Sequence, residues 1–287
     1  MRNFFSLVTF SHTVFALPFA LLGYTLGVRT AQGAFAWLDL ALVVGCMVTA
    51  RNAAMAFNRL VDAPIDARNA RTVVRDIPAG RVSKRSAGVF VAVNCAAFVV
   101  LSGLLNSLCL ALSPVALAVV LGYSYTKRFT WLCHVVLGIG LALAPVGAYL
   151  AATGAFALQP ILLGLVVLTW VAGFDIVYAL QDEAFDRAHA LYSVPTRFGA
   201  SRSIALSRSL HLVSLGLLAY VTYDLVLEDD VVAIWLVLAW VAFAAALAYQ
   251  HSIVSARDLT RIDRAFFTTN GLASVVYAAM AVAGLLL

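Results

Sequence analysis

The feature that most constrains this chain is a series of long apolar stretches. They fall near residues 9–28, 36–57, 87–108, 111–126, 131–151, 160–181, 205–223, 229–250 and 265–287. Each is near the length a helix needs to cross the hydrocarbon core of a bilayer, about 20 residues. The 111–126 run is the shortest and is expected to tilt or to stop early. Backbone amides in lipid have no water to bond, so only helices and closed barrels can span it. The runs lack the alternation of a barrel strand. Gly, Pro and Ala inside them are tolerated where neighbouring helices pack closely. The expected fold is therefore all-α: a polytopic membrane protein with nine transmembrane helices in a bundle, forming a single domain over residues 1–287. Composition agrees, since 63% of the residues are hydrophobic and 11% charged, against about 25% charged in a soluble domain. Met1–Phe10 carries one Arg and no small-residue cleavage site, so it reads as part of the first helix.

The segments between the runs alternate in charge. Asn106–Ser113 and Gly154–Pro160 are nearly charge-free, and Asp224–Asp230 holds four acids and no base. Arg51–Arg85 holds eight Arg and Lys residues, Lys127 and Arg128 form a second basic segment, and Arg187, Arg197, Arg202 and Arg208 a third. Arg257, Arg261 and Arg264 form the fourth. Basic loops stay inside, which puts this set and the N-terminus in the cytoplasm of a bacterial-type inner membrane. The net charge of +5 is then a topology bias, and no long basic tract points to a nucleic-acid partner. The four cysteines form no CxxC pair and read as small buried side chains.

Two polar stations stand out against the apolar background. In 58-NRLVDAPIDARNARTVVRDIPAG-80, Asn58, Asp62 and Asp66 are four apart, so on a helix they share one face. Like charges at that spacing repel unless a cation sits among them, and oxygen ligands suit Mg2+, which also bridges to phosphates. Pro64 is expected to kink or end the helix, leaving Asp66 just past it. Arg68, Arg71 and Arg75 follow, with guanidinium forks suited to phosphate oxygens. In 174-FDIVYALQDEAFDRAHALYSVPTRFG-199, Tyr178, Asp182 and Asp186 are again four apart at the inner end of a helix. Asp175 lies two turns deeper on the same face, a costly place for a carboxylate without a partner. Arg187 and Arg197 follow. The stations match at a constant offset of 120 residues, which suggests two pseudo-repeated four-helix units. Their loops, about 58–85 and 182–204, are expected on one cytoplasmic face. Two facing carboxylate sets can hold metal ions bridged by a diphosphate.

Taken together these motifs resemble the UbiA-type intramembrane aromatic prenyltransferases. The residues that carry the resemblance are Asn58, Asp62 and Asp66, then Arg71, Thr72, Arg75, Ile77, Pro78 and Gly80, then Asp182 and Asp186 within Phe174–Asp186. Tyr123, Tyr125, Lys127 and Arg128 nearly match a further segment of the family. Ser193-Val194-Pro195 and Arg197-Phe198-Gly199 point to the quinone-pathway branch. Asn58-Arg59 and Phe185-Asp186 lie nearer its menaquinone-associated enzymes than the ubiquinone type.

The resemblance implies Mg2+-dependent transfer of a polyprenyl chain from a polyprenyl diphosphate to an aromatic acid, either 4-hydroxybenzoate or a dihydroxynaphthoate. It implies Asn58, Asp62, Asp66, Asp182 and Asp186 as metal ligands. Arg68, Arg71, Arg75, Arg187, Arg197 and Tyr178 would bind the diphosphate. Arg128, Lys127 and Tyr125 would bind the acceptor. Asp62, Asp182 and Asp175 are the expected catalytic carboxylates, with Asp175 orienting the acceptor hydroxyl or bracing a neighbouring Arg. Phe15, Phe19 and Phe57 are candidates for the lining of the tail groove, and His12, His134 and His189 are lesser candidates for substrate contact. A membrane carrier for an anionic substrate is the alternative, but its polar site belongs at the midplane rather than at one face. A CDP-alcohol phosphotransferase would need a D-G-x-x-A-R run, which is absent.

Overall fold

The structure, a computed structural model, describes residues 13–227 and 231–287. His12 and Met1–Phe10 lie outside these residues. The elements in chain order are α1 (Thr13–Thr30), α2 (Trp37–Asp66), α3 (Lys84–Leu105), α4 (Ser107–Thr126), α5 (Cys133–Thr153) and α6 (Leu158–Tyr178). A 3-10 turn (Ala179–Asp182) and the short α7 (Glu183–Ala188) follow, then α8 (Val194–Val226), α9 (Ala233–Ile253), a π-helical turn (Arg264–Thr269) and α10 (Asn270–Leu286). Among the described residues there is no β-strand, and eight helical stretches are long and apolar enough to cross a membrane. The chain is an all-α integral membrane protein.

Local sequence explains the helix boundaries. Asn106 ends α3 and caps α4, its side chain accepting from the Cys109 amide at 2.9 Å. The 111–126 run is therefore the greater part of a full 20-residue helix. Ser193 caps α8 in a reciprocal box with Thr196, and Pro195 occupies the first turn, where its missing N–H costs nothing. The chain turns within α8 at Gly199, whose φ of 75° is open to glycine. Pro64 does not end α2, which runs on to Asp66. The proline lies exposed near the end of the helix, where only one further residue pair follows the lost bond.

An aromatic core holds the bundle together. Phe15 and Phe19 of α1 pack against Trp170 and Phe174 of α6, Phe243 of α9, Phe266 and Tyr277. The Trp170 Nε1–H donates to Asn270 Oδ1 at 2.9 Å, and the Asn270 amide donates to the carbonyls of Ala265 and Phe266. One buried amide thus ties α6 to the π-helical turn. Small residues allow close helix approach: a Cβ at Gly23 would lie 2.2 Å from the Pro145 carbonyl oxygen, and one at Gly138 would lie 2.5 Å from that of Leu168.

A cavity of about 400 Å³ opens between α1, α2, α3, α4, α5, α6 and the π-helical turn. Phe15, Met55, Tyr123, Phe174 and Phe266 are among its walls, and Arg51 is the one charged side chain lining it among the described residues. Of the aromatic residues proposed for a tail groove, Phe15 lines this cavity, Phe19 is buried in the core, and Phe57 packs edge-on against Tyr125 outside it.

Candidate functional site

The last two turns of α2 carry the first station. Asp62 and Asp66 are both buried on the face they share with Asn58. The Asn58 amide donates to Asp62 Oδ2 at 3.1 Å. Asp62 Oδ1 accepts from Arg128 Nη2 at 2.9 Å, and the same nitrogen bonds the Val61 carbonyl. Asp66 takes Arg75 Nη1 on both oxygens, at 2.7 and 2.8 Å. The loop after α2 folds back on itself. Thr72 Oγ1 donates to the Asp66 carbonyl at 3.2 Å, and Arg81 closes on Asp76 at 2.7 Å.

The second station departs from a single helix. α6 ends at Tyr178, Ala179–Asp182 form the 3-10 turn, and Asp186 lies in α7. Asp182 sits at φ −102° and ψ 0°, outside the helical region, so Tyr178, Asp182 and Asp186 do not share one continuous helical face. What recruits Asp182 is tertiary: Arg71 grips both its oxygens, with Nε to Oδ1 at 3.0 Å, and Asn69 donates to Oδ1 at 3.1 Å. Burial pulls the Arg71 guanidinium down, but the bonds and charge of Asp182 outweigh it and leave it raised. Arg71 also reaches the Tyr178 hydroxyl at 3.4 Å. The two stations therefore meet at one end of the bundle, joined through the first loop.

Lys127 and Arg128 lie between them. Lys127 interacts electrostatically with Asp62 of one station and Asp186 of the other, and its carbonyl accepts from the Tyr192 amide at 2.7 Å. The sequence separates this basic pair from both stations, whereas the fold inserts it into them. Tyr125 is exposed and stacks under Arg128, 5.3 Å from its guanidinium. Tyr123 is the tyrosine that enters the cavity wall.

Asp175 is set apart from the arginines. His134, buried on α5, meets Asp175 Oδ2 through Nδ1 at 2.7 Å and accepts the Val194 amide on Nε2 at 3.3 Å. With Nε2 accepting, Nδ1 carries the proton and donates to the carboxylate. This relay locks α5 and α6 to the start of α8, so Asp175 braces a histidine and not an Arg. Four other expected site residues stay outside the cluster's contacts. Arg68 is exposed, Arg187 pairs with Glu183 at 2.9 Å, Arg197 lies over Trp131 at 5.0 Å, and His189 stacks on Phe185.

Two arginines of the site escape a reading by loop charge. Arg51 lies seven residues before Asn58, two turns deeper on the face of the first station, and lines the cavity. Arg59 follows Asn58 and interacts electrostatically with Asp66, Arg75, Tyr123 and Tyr178. The signal for Arg51 is its helical register with Asn58, since a charged residue this far into an apolar run needs a polar destination.

The chemistry of the donors suits a hard cation, although no three carboxylate, imidazole or thiolate groups gather as a metal cage among the described residues. Mg2+ needs no such cage. It takes one or two carboxylates, keeps waters and completes its shell with substrate phosphate oxygens. Asp62 with Asp66, and Asp182 with Asp186, fit that use.

The model of the UbiA prenyltransferase family matches residues 16–272. A 4-hydroxybenzoate octaprenyltransferase of Alkalilimnicola ehrlichii is 32% identical over 235 residues, which are 82% of this chain and 78% of that protein. The ligand-free structure of a UbiA homolog from Aeropyrum pernix superposes with a TM-score of 0.83 at 31% identity, covering 94% of this chain and 96% of that one. A UbiA homolog from Archaeoglobus fulgidus, bound to GPP and Mg2+, has the same fold, with a TM-score of 0.77 at 18% identity, covering 99% of this chain and 100% of that one.

Proposed function

The chain belongs to the UbiA prenyltransferase family, and from that premise we propose that it transfers a polyprenyl chain from polyprenyl diphosphate to a small aromatic acid, 4-hydroxybenzoate first among the quinone precursors. The observation that carries the proposal is the junction of the two carboxylate stations through Arg71, Asn69 and Lys127, next to an apolar cavity. Charge-rich and apolar surfaces meet there, as a prenyl diphosphate requires. The choice of 4-hydroxybenzoate over a dihydroxynaphthoate follows the name of the relatives. The anion-carrier alternative finds no support in these matches.

Asp62, Asp66 and Asn58 on one side, and Asp182 and Asp186 on the other, would hold Mg2+. When bound with substrate, the cation neutralises charge on the diphosphate oxygens. The chain's own residues do the rest. Arg71, Arg75 and Lys127 sit where they can turn from carboxylates to phosphate oxygens, and guanidinium forks suit that exchange. As the allylic C–O bond breaks, its electron pair leaves on the diphosphate, so cations fixed around those oxygens stabilise the transition state more than the ground state. The aromatic ring then supplies the electrons of the new bond to the prenyl carbon and releases its proton. The apolar walls around Phe15, Phe174 and Phe266 keep water from the allylic cation.

Arg51 is better placed than Arg128 to receive the acceptor's carboxylate. Arg51 lines the cavity wall, whereas Arg128 is not among the residues that line it. Both stations belong on the cytoplasmic face of the inner membrane, with the N-terminus inside, because the loops that carry them are the basic ones. Purified protein incubated with Mg2+, octaprenyl diphosphate and a panel of aromatic acids tests the reading by mass spectrometry. An octaprenyl mass gain on 4-hydroxybenzoate is expected. Gain only on a dihydroxynaphthoate overturns the acceptor, and no gain on any acid overturns the function.

A further inference from the structure

Among the described residues, Arg59 is the arginine of the site with a buried, unfilled donor. Its Nη1 is buried and has no hydrogen-bond partner. By contrast Arg71, Arg75 and Arg128 are each bonded to a carboxylate. A buried guanidinium nitrogen left unbonded destabilises the fold, and such a group persists where binding later satisfies it. The surroundings of Arg59 say what would satisfy it. Tyr123 is a wall of the apolar cavity, while Asp66, Arg75 and Tyr178 belong to the carboxylate stations. Arg59 thus stands at the seam between the space for a hydrocarbon chain and the space for a diphosphate.

We infer that Arg59 is a catalytic residue of the prenyl transfer, donating its unfilled N–H to the diphosphate oxygen that departs from the prenyl carbon. This rests on the function proposed above. The electron pair of the breaking C–O bond passes to that oxygen, whose growing negative charge is what a fixed guanidinium N–H stabilises. The arginine partners of Asp62, Asp66 and Asp182 must first release a carboxylate before they act on substrate. Arg59 Nη1 has nothing to release and is preorganised for the leaving oxygen.

The test uses purified full-length protein carrying Arg59→Gln or Arg59→Lys. In ligand-free Arg59→Gln the melting temperature is expected to equal or exceed that of the unsubstituted protein, because a buried N–H without a hydrogen-bond partner has been removed. The stabilisation produced by Mg2+ with inorganic diphosphate is expected to shrink. With both substrates saturating, kcat is expected to fall by about 100-fold, the scale of losing one donor to a developing oxyanion. The KM for the aromatic acid is expected to stay within about twofold. Arg59→Lys is expected to recover part of kcat, since it restores the charge without the fork.

Three results would overturn the inference: an unchanged kcat in Arg59→Gln, a rise in the aromatic acid's KM with kcat kept, or a lower ligand-free melting temperature with the diphosphate stabilisation intact. The second would make Arg59 a carboxylate anchor and the third a structural residue. Failure of the underlying function is separate and would appear as no prenylated product from the unsubstituted protein.

Discussion

Replacing Arg71 by Gln is expected to tighten the binding of a divalent metal ion while weakening the binding of diphosphate. In the ligand-free protein Arg71 holds both oxygens of Asp182. A metal ion that uses Asp182 must first displace that fork. Hydrogen bonds to charged groups contribute about 1.5–3 kcal/mol net. The Arg71 and Asp182 side chains retain 35% and 20% of their exposure, so solvent screening brings the pair to about 1–2 kcal/mol. At about 1.4 kcal/mol per factor of ten, releasing Asp182 should raise metal affinity by roughly 5–30-fold. Diphosphate binding should move the other way, since the substitution removes the cation poised to transfer to its oxygens. Titration of the ligand-free protein with Mn2+, followed by electron paramagnetic resonance, measures the first effect. Calorimetry with inorganic diphosphate at saturating Mg2+ measures the second. Equal or weaker Mn2+ binding in Arg71→Gln would refute the exchange.

Other perturbations separate the remaining roles. Arg51→Gln is expected to raise the KM for the aromatic acid by about tenfold or more, the scale of one charge-assisted contact, with little change for the prenyl diphosphate; steady-state kinetics with each substrate varied checks this. Asp175→Ala and His134→Ala are each expected to lower unfolding stability by about 1–3 kcal/mol, because the first leaves the buried His134 Nδ1–H without its acceptor and the second leaves the Val194 amide without its own; a double-substitution cycle by thermal unfolding should show them to be coupled. Arg197→Ala is expected to cost about 0.5–1 kcal/mol through lost stacking on Trp131, while diphosphate affinity by calorimetry stays unchanged.

The helical fold was legible because lipid leaves a chain few choices, so long apolar runs report helices almost directly. The first station was legible for a similar reason, since Asn58, Asp62 and Asp66 lie on one helix whose period orders them. Pro64 was read too strictly. A proline removes one hydrogen bond, and this close to the end of α2 the helix carries on to Asp66 without needing it. The second station was legible as residues but not as geometry. Asp182 sits in a 3-10 turn outside helical φ and ψ, held by Arg71 and Asn69 from 111 and 113 residues away. The partnership of His134 with Asp175 spans 41 residues, and nothing in local spacing encodes it. The same holds for Lys127 and Arg128, which chain order puts outside both stations and tertiary folding puts between them.

The central claim is that the two stations act as one diphosphate site. Calorimetric binding of an inert prenyl thiodiphosphate at saturating Mg2+, compared among Asp62→Asn, Asp182→Asn and the double substitution, tests it most directly. The account gives each single substitution nearly the whole loss of affinity, and the double substitution little more, because either station alone leaves the diphosphate half-held. Near-normal binding in either single variant, or losses that simply add in free energy, would contradict it.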